Sequence, residues 1–218
     1  GTLGYIGIIR KFIKPSKPTI IFDFDGTLID TSESIKEGYR ECFRKFSNEN
    51  LFTSKVQNEV LGPALRDIFP KYFPGIDYDT VYETYHEAQS KAAPVTNHPT
   101  KNTAETLKKL HEQGYHIGIV STRKKEGIEE ILKQVDMEKY VDDICGLNDV
   151  TNLKPDPEGL IMLINRNKWN KDCIMIGDSM MDLMSGVNYG SYTVGFAKSK
   201  SRKKELSEVA DVIIVPSS

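Results

Sequence analysis

Two aspartates stand one residue apart in Asp23-Phe24-Asp25-Gly26-Thr27-Leu28, directly after the apolar run 19–22. A short apolar run predicts a strand buried on both faces, which places the carboxylates at its C-terminal end. Gly26 lets the backbone turn tightly and approach a ligand closely. Two acids so close repel each other, so one carboxyl is expected to titrate high while the other stays ionised. That suits a nucleophile or metal ligand, Asp23, beside an acid/base, Asp25. The bland alternative is a strand running into an Asx-type turn.

Other apolar runs also end in polar groups. Ser121, Thr122 and Arg123 follow residues 115–120; Asp178 follows residues 173–176, with Asp182 one helical turn on; Lys154 sits in a loop over 148–157. In an open parallel sheet, ligands bind outside the carboxyl ends of the strands. Parallel strands here would bring all these groups to one sheet edge. Hydroxyls, backbone N–H groups and a lysine make an anion cradle. Three carboxylates make a hard-cation site suited to Mg²⁺. The combination points to phosphoryl transfer. Taken singly, each group has a structural alternative: Ser121, Asp178 or Ser179 as a helix cap, Arg123 as a helix opener, Asp182 facing water, Lys154 as a plain loop lysine.

The elements that must position these groups follow from hydrophobic periodicity. After the acidic turn, Thr31 or Ser32 can cap a helix whose residues Ile35, Tyr39, Cys42, Phe43 and Phe46 form one apolar face. A second short helix is expected over 54–60, a break at Leu61-Gly62-Pro63 before residues 64–69, a loop over 70–75, and a third helix over 77–92. Strands are hard to find between Asp30 and Ala93, so this segment reads as a small all-helical subdomain. From Asn102 onward, strand and helix patterns alternate, which predicts a Rossmann-like α/β core, a parallel sheet covered by helices. The expected organisation is an extension over 1–18, a core over 19–29 and 96–218, and a helical insert over 30–95.

Composition narrows the function class. The 218 residues carry a formal net charge of -2, so there is no global electrostatic case for nucleic acid or anionic membrane. The basic run 198–204 reads as a solvated helix start. Three widely spaced cysteines form no zinc or redox motif and fit a reducing, cytoplasmic setting. No apolar run is long enough to span a membrane. Residues 1–14 place their charges after the apolar stretch, the wrong order for a signal peptide. An edge strand or a short amphipathic helix is expected there.

Asp23-Phe24-Asp25-Gly26-Thr27-Leu28 resembles the first motif of the haloacid dehalogenase (HAD) superfamily. The strand ending at Ser121 resembles its second motif, Lys154 in Lys-Pro-Asp-Pro its third, and Gly177-Asp178-Ser179-Met180-Met181-Asp182 its fourth. The helical insert is similar to the cap of the phosphoglycolate phosphatase-like branch, and Gly62-Pro63-Ala64-Leu65 to that branch's specificity loop. The resemblance implies that Asp23 forms an aspartyl-phosphate, that Asp25 protonates the leaving oxygen and then activates water, and that Ser121 and Lys154 hold phosphoryl oxygens. It implies Mg²⁺ on Asp23, the Asp25 carbonyl, Asp178 and Asp182. Gly26, Thr122, Arg123 and the insert's Arg66 are candidate substrate contacts. Dehalogenase members lack the second aspartate, so Asp25 argues for a phosphatase or phosphomutase. The expected protein is a monomeric or homodimeric phosphatase of a small phosphorylated metabolite: phosphoglycolate, a sugar phosphate, a nucleotide or pyrophosphate. A mutase of the β-phosphoglucomutase type and a non-enzymatic phospho-ligand binder are the alternatives.

Overall fold

The computed structural model describes residues 16–215; the expected N-terminal strand or helix lies outside them. In chain order they form β1 (Thr19–Phe22), β2 (Ile29–Asp30), α1 (Ser32–Phe46), α2 (Ser54–Glu59), α3 (Leu65–Tyr72), α4 (Tyr78–Thr96), β3 (His98–Pro99), α5 (Thr103–Glu112), β4 (Ile117–Val120), α6 (Lys125–Gln134), β5 (Asp143–Cys145), α7 (Glu158–Asn167), β6 (Cys173–Gly177), α8 (Met180–Tyr189), β7 (Tyr192–Phe196), α9 (Lys200–Ser207) and β8 (Val212–Ile214). No helix among them is long and apolar enough to cross a membrane.

Six strands make one sheet in the order β5-β4-β1-β6-β7-β8, and every neighbouring pair is parallel. β1 lies inside it, bonded to β4 on one side and β6 on the other. Successive strand side chains point to opposite faces. Ile20 and Phe22 accordingly join Leu107, Ile117, Ile119 and Ile128 on one face, while Ile21 joins Leu160, Leu163 and Met175 on the other. A fully buried aliphatic side chain contributes ~1.5–3 kcal/mol, so β1, wholly buried, is a firm base for the acidic turn.

Helices α1 to α4 bury a separate aromatic cluster that includes Tyr39, Phe43, Phe52, Phe69, Phe73 and Tyr85. Gly38 makes this packing feasible: a Cβ there would come within 2.5 Å of the Tyr85 ring. The two chain segments joining this insert to the sheet pair with each other, β2 antiparallel to β3, with Ile29 opposite Pro99 and Asp30 opposite His98.

Three local expectations are corrected. α4 runs through Pro94 to Thr96 instead of ending at Ala92, and α3 includes Pro70, where a loop was expected. Each proline lies in the second half of its helix and removes one backbone hydrogen bond, while the same turns bury Phe69 and Ala93. The hydroxyls of Thr31 and Ser32 do not cap α1. Ser32 Oγ donates to Asp30 Oδ1 at 2.6 Å, and Thr31 Oγ1 donates to Asp25. Both side chains are turned toward nearby carboxylates, and neither hydroxyl oxygen accepts from a first-turn amide of α1.

Candidate active site

Because β4, β1 and β6 are adjacent and parallel, their C-terminal ends bring Ser121, the Asp23–Asp25 pair and Asp178 side by side. Lys154 enters from the loop between β5 and α7. Its ammonium donates to Asp23 Oδ1 at 2.8 Å, to Asp182 Oδ1 at 2.6 Å and to the Val120 carbonyl at 3.1 Å. An ammonium has three donors, so all three are engaged by the protein. A phosphoryl oxygen would have to share or displace one of them. Asp182 is buried rather than facing water, and its second oxygen accepts from the Ser179 amide at 3.1 Å. Ser179 caps α8, accepting from the Asp182 amide. Gly26 has φ +82, and a Cβ there would lie 2.2 Å from Asp178 Oδ2. Glycine thus serves both the turn and the close approach of Asp178.

The two aspartates of the acidic turn sit in different fields. Burial among the Asp182 and Asp178 carboxylates raises the Asp23 carboxyl above its usual range, against the pull of Lys154. Burial also pushes Asp25 upward, but Arg123 outweighs it and holds that carboxyl below its usual range, helped by Thr31. Arg123 Nη2 donates to Asp25 Oδ1 at 2.7 Å, and its Nε reaches both carboxylate oxygens at 3.2 Å. The directions expected from the sequence, a low-titrating Asp23 beside a high-titrating Asp25, are therefore reversed. The cause is Arg123, recruited from a different strand end.

Thr122 Oγ1 donates to the Gly62 carbonyl of the insert at 3.3 Å, and Ser121 Oγ accepts from the Arg123 amide at 3.0 Å. Arg66 is exposed and lines an open groove of about 630 Å³ with Thr151, Leu153, Pro157 and Asn188. Among the described residues it makes no ion pair, and the lining of that groove does not include Asp23, Asp25, Asp178 or Asp182. Sequence reasoning did not foresee the Thr31–Asp25 bond or the Arg123–Asp25 pair. Residue type suited both, but no spacing rule connects positions 98 apart.

The donor set fits a small hard cation. One oxygen from each of Asp23, Asp178 and Asp182 lies within 4.8 Å of the others. Three carboxylates against the single Lys154 ammonium leave two negative charges unmatched, and oxygen ligands of this kind suit Mg²⁺. Burial and the Asp182 carboxylate push Asp178 up to about 6, against the pull of Lys198, Asp23 and Lys154. In an unfolded chain such a carboxyl titrates at about 4, so between roughly pH 4 and 6 the folded protein binds more protons. Stability from this group is present at low pH and is lost as pH rises through 6. Saturating Mg²⁺ is expected to raise the thermal midpoint by roughly 5–10 °C at pH 7.5, and by less at pH 5. Thermal melts with Mg²⁺ and with EDTA check this, and equal shifts at both pH values would place the ion elsewhere.

The family model described as haloacid dehalogenase-like hydrolase matches residues 20–196. A pyrophosphatase PpaX of Listeria monocytogenes is 33% identical over 180 residues, 82% of each chain. That of Halalkalibacterium halodurans is 34% identical over 182 residues, 82% of this chain and 84% of its own. Among solved structures, a candidate haloacid dehalogenase-like hydrolase from Bacteroides fragilis superposes with a TM-score of 0.78 at 29% identity, covering 92% of this chain and 98% of that one. A candidate β-phosphoglucomutase from Thermotoga maritima shares the fold with a TM-score of 0.74 at 20% identity, covering 92% and 95% of the two chains. The acidic turn on β1, the serine after β4, the buried lysine and the aspartate after β6 fall inside the matched span, and the chain belongs to the haloacid dehalogenase-like hydrolases.

Proposed function

We propose that this enzyme is a Mg²⁺-dependent phosphatase of a small phosphorylated substrate, with pyrophosphate the first candidate, working through an aspartyl-phosphate on Asp23. The observation that carries the reading is the convergence of Asp23, Asp25, Ser121, Lys154 and Asp178 at adjacent strand ends. Asp23 would attack phosphorus as the bond to the leaving oxygen breaks. Asp25 would assist the departing oxygen, then take a proton from the water that attacks the acyl-phosphate, releasing phosphate and restoring Asp23. Ser121 Oγ and the backbone amides after β1 and β4 would receive the phosphoryl oxygens, and Lys154 would orient Asp23. Asp23, the Asp25 carbonyl and Asp178 would hold Mg²⁺, with Asp182 reaching it directly or through water while also fixing Lys154. The ion would supply positive charge where negative charge spreads in phosphoryl transfer.

Two considerations favour pyrophosphate. The relatives reported above are named pyrophosphatases, and Arg123 places a guanidinium beside Asp25, where a leaving group that is itself an anion would meet a cation. The insert over 30–95 would act as a cap that excludes water, hinging at the β2–β3 ribbon. The chemistry implies a small-molecule partner, in a cytoplasmic setting. Phosphate release should be measured from pyrophosphate, phosphoglycolate, sugar phosphates and nucleotides, with Mg²⁺ and with EDTA. Mg²⁺-dependent release, at least ten-fold faster from pyrophosphate by kcat/KM, is the expected result. Isomerisation of a phosphohexose without release would instead indicate a mutase, and ligand binding without turnover a binding protein.

A further inference from the structure

Three consecutive residues of one core loop reach in three directions. Thr122 donates to Gly62 of the insert, and Arg123 holds Asp25. Lys124 turns to the insert again: its ammonium lies 4.0 Å from the centroid of the Tyr82 ring, on α4. The other cation–ring approaches among the described residues are longer, at 5.2 to 5.6 Å. Lys124 is half-buried and makes no ion pair among the described residues. Tyr82 is fixed by its neighbours: it stacks on Tyr78 with ring centroids 5.7 Å apart and meets His86 edge-on at 5.4 Å.

The place of this contact gives it leverage. The insert is tied to the sheet at the β2–β3 ribbon, beside the C-terminal end of α4. Tyr82 is in the second turn of α4, about 20 Å from that end at 1.5 Å per residue. A contact so far from the hinge fixes the angle of the insert with little force. Arg123 lies between the two gripping residues, so the loop that grips the insert also carries the partner of Asp25.

We infer that Lys124 is a positioning residue: through the face of Tyr82, and together with the Thr122–Gly62 hydrogen bond, it holds the insert closed over the site. The inference rests on the proposed phosphatase reading for its kinetic test and is independent of it for its structural test. Cation–π attraction between partly buried groups is strong enough to alter a closing equilibrium by about 3- to 30-fold. With pyrophosphate and Mg²⁺, Lys124→Met and Tyr82→Leu are each expected to raise KM by about that factor while kcat changes less than about two-fold. Lys124→Arg and Tyr82→Phe, which keep a cation and a ring, should retain the wild-type KM. The double variant should be no worse than the worse single variant, because both remove the same contact. An unchanged KM in Lys124→Met, or additive losses in the double variant, would overturn the inference. Hydrogen–deuterium exchange gives a reading without turnover. Amides over 61–69 and 97–100 should exchange faster in Lys124→Met than in Lys124→Arg; equal exchange would also overturn it. If the wild-type chain releases no phosphate, the phosphatase reading fails and the exchange measurement alone decides the latch.

Discussion

Asp23→Asn is expected to lower kcat for Mg²⁺-dependent phosphate release by on the order of 10⁴-fold or more, while leaving the fold intact. An amide is nearly the same shape as a carboxylate but is a poor nucleophile. Its oxygen can still accept from Lys154, which donates to Asp23 Oδ1 at 2.8 Å. The substitution also removes one of the carboxylates that crowd this buried corner, the same crowding that raises the Asp23 carboxyl. Thermal stability without Mg²⁺ should therefore hold or increase, which separates loss of the nucleophile from loss of structure. A variant that keeps a tenth of wild-type kcat would sink the aspartyl-phosphate reading.

Lys154→Met should have the largest effect on stability. The lysine is 8% exposed, and its ammonium is bonded to Asp23, Asp182 and the Val120 carbonyl. Burial alone would lower its pKa, but Asp182 and Asp23 outweigh burial and hold it above the ordinary lysine range. Removing one partner of a buried ion pair leaves the other charges uncompensated, which costs about 3–5 kcal/mol. A urea midpoint lower by about 1–2 M follows for a chain of this size. The remaining carboxylates are penalised only as anions, so the loss should shrink from pH 7.5 to pH 5. Mg²⁺ should recover part of it by supplying the missing positive charge. An unchanged midpoint would show that the lysine's bonds contribute no net stability, and turnover should fall with Asp23 no longer oriented.

Much of the site was legible from local patterns because its parts follow strands that are themselves local. The apolar runs before Asp23, Ser121 and Asp178 each fix a strand and its end without help from distant residues. The two-residue strands β2 and β3 carry no periodicity, and they pair only because the chain leaves and re-enters the core at one place. Pro70 and Pro94 mark breaks by their own chemistry, yet each sits inside a helix because the aromatic packing of the insert repays one lost hydrogen bond.

By itself, the sequence determined the kind of chemistry available: two carboxylates after one strand, hydroxyls after another, a third carboxylate after a further strand and a lysine in a loop, on a parallel α/β core. Those features depend on residue type and near neighbours, and the strand patterns state them directly. Only the tertiary structure decided how the charges are shared. Arg123 takes Asp25, Lys154 joins Asp23 to Asp182, and Lys124 reaches Tyr82 in the insert. Each pairing spans more than 25 residues and depends on strand order, so no local pattern encodes it. Electrostatic energy depends on distance and burial, and folding sets both.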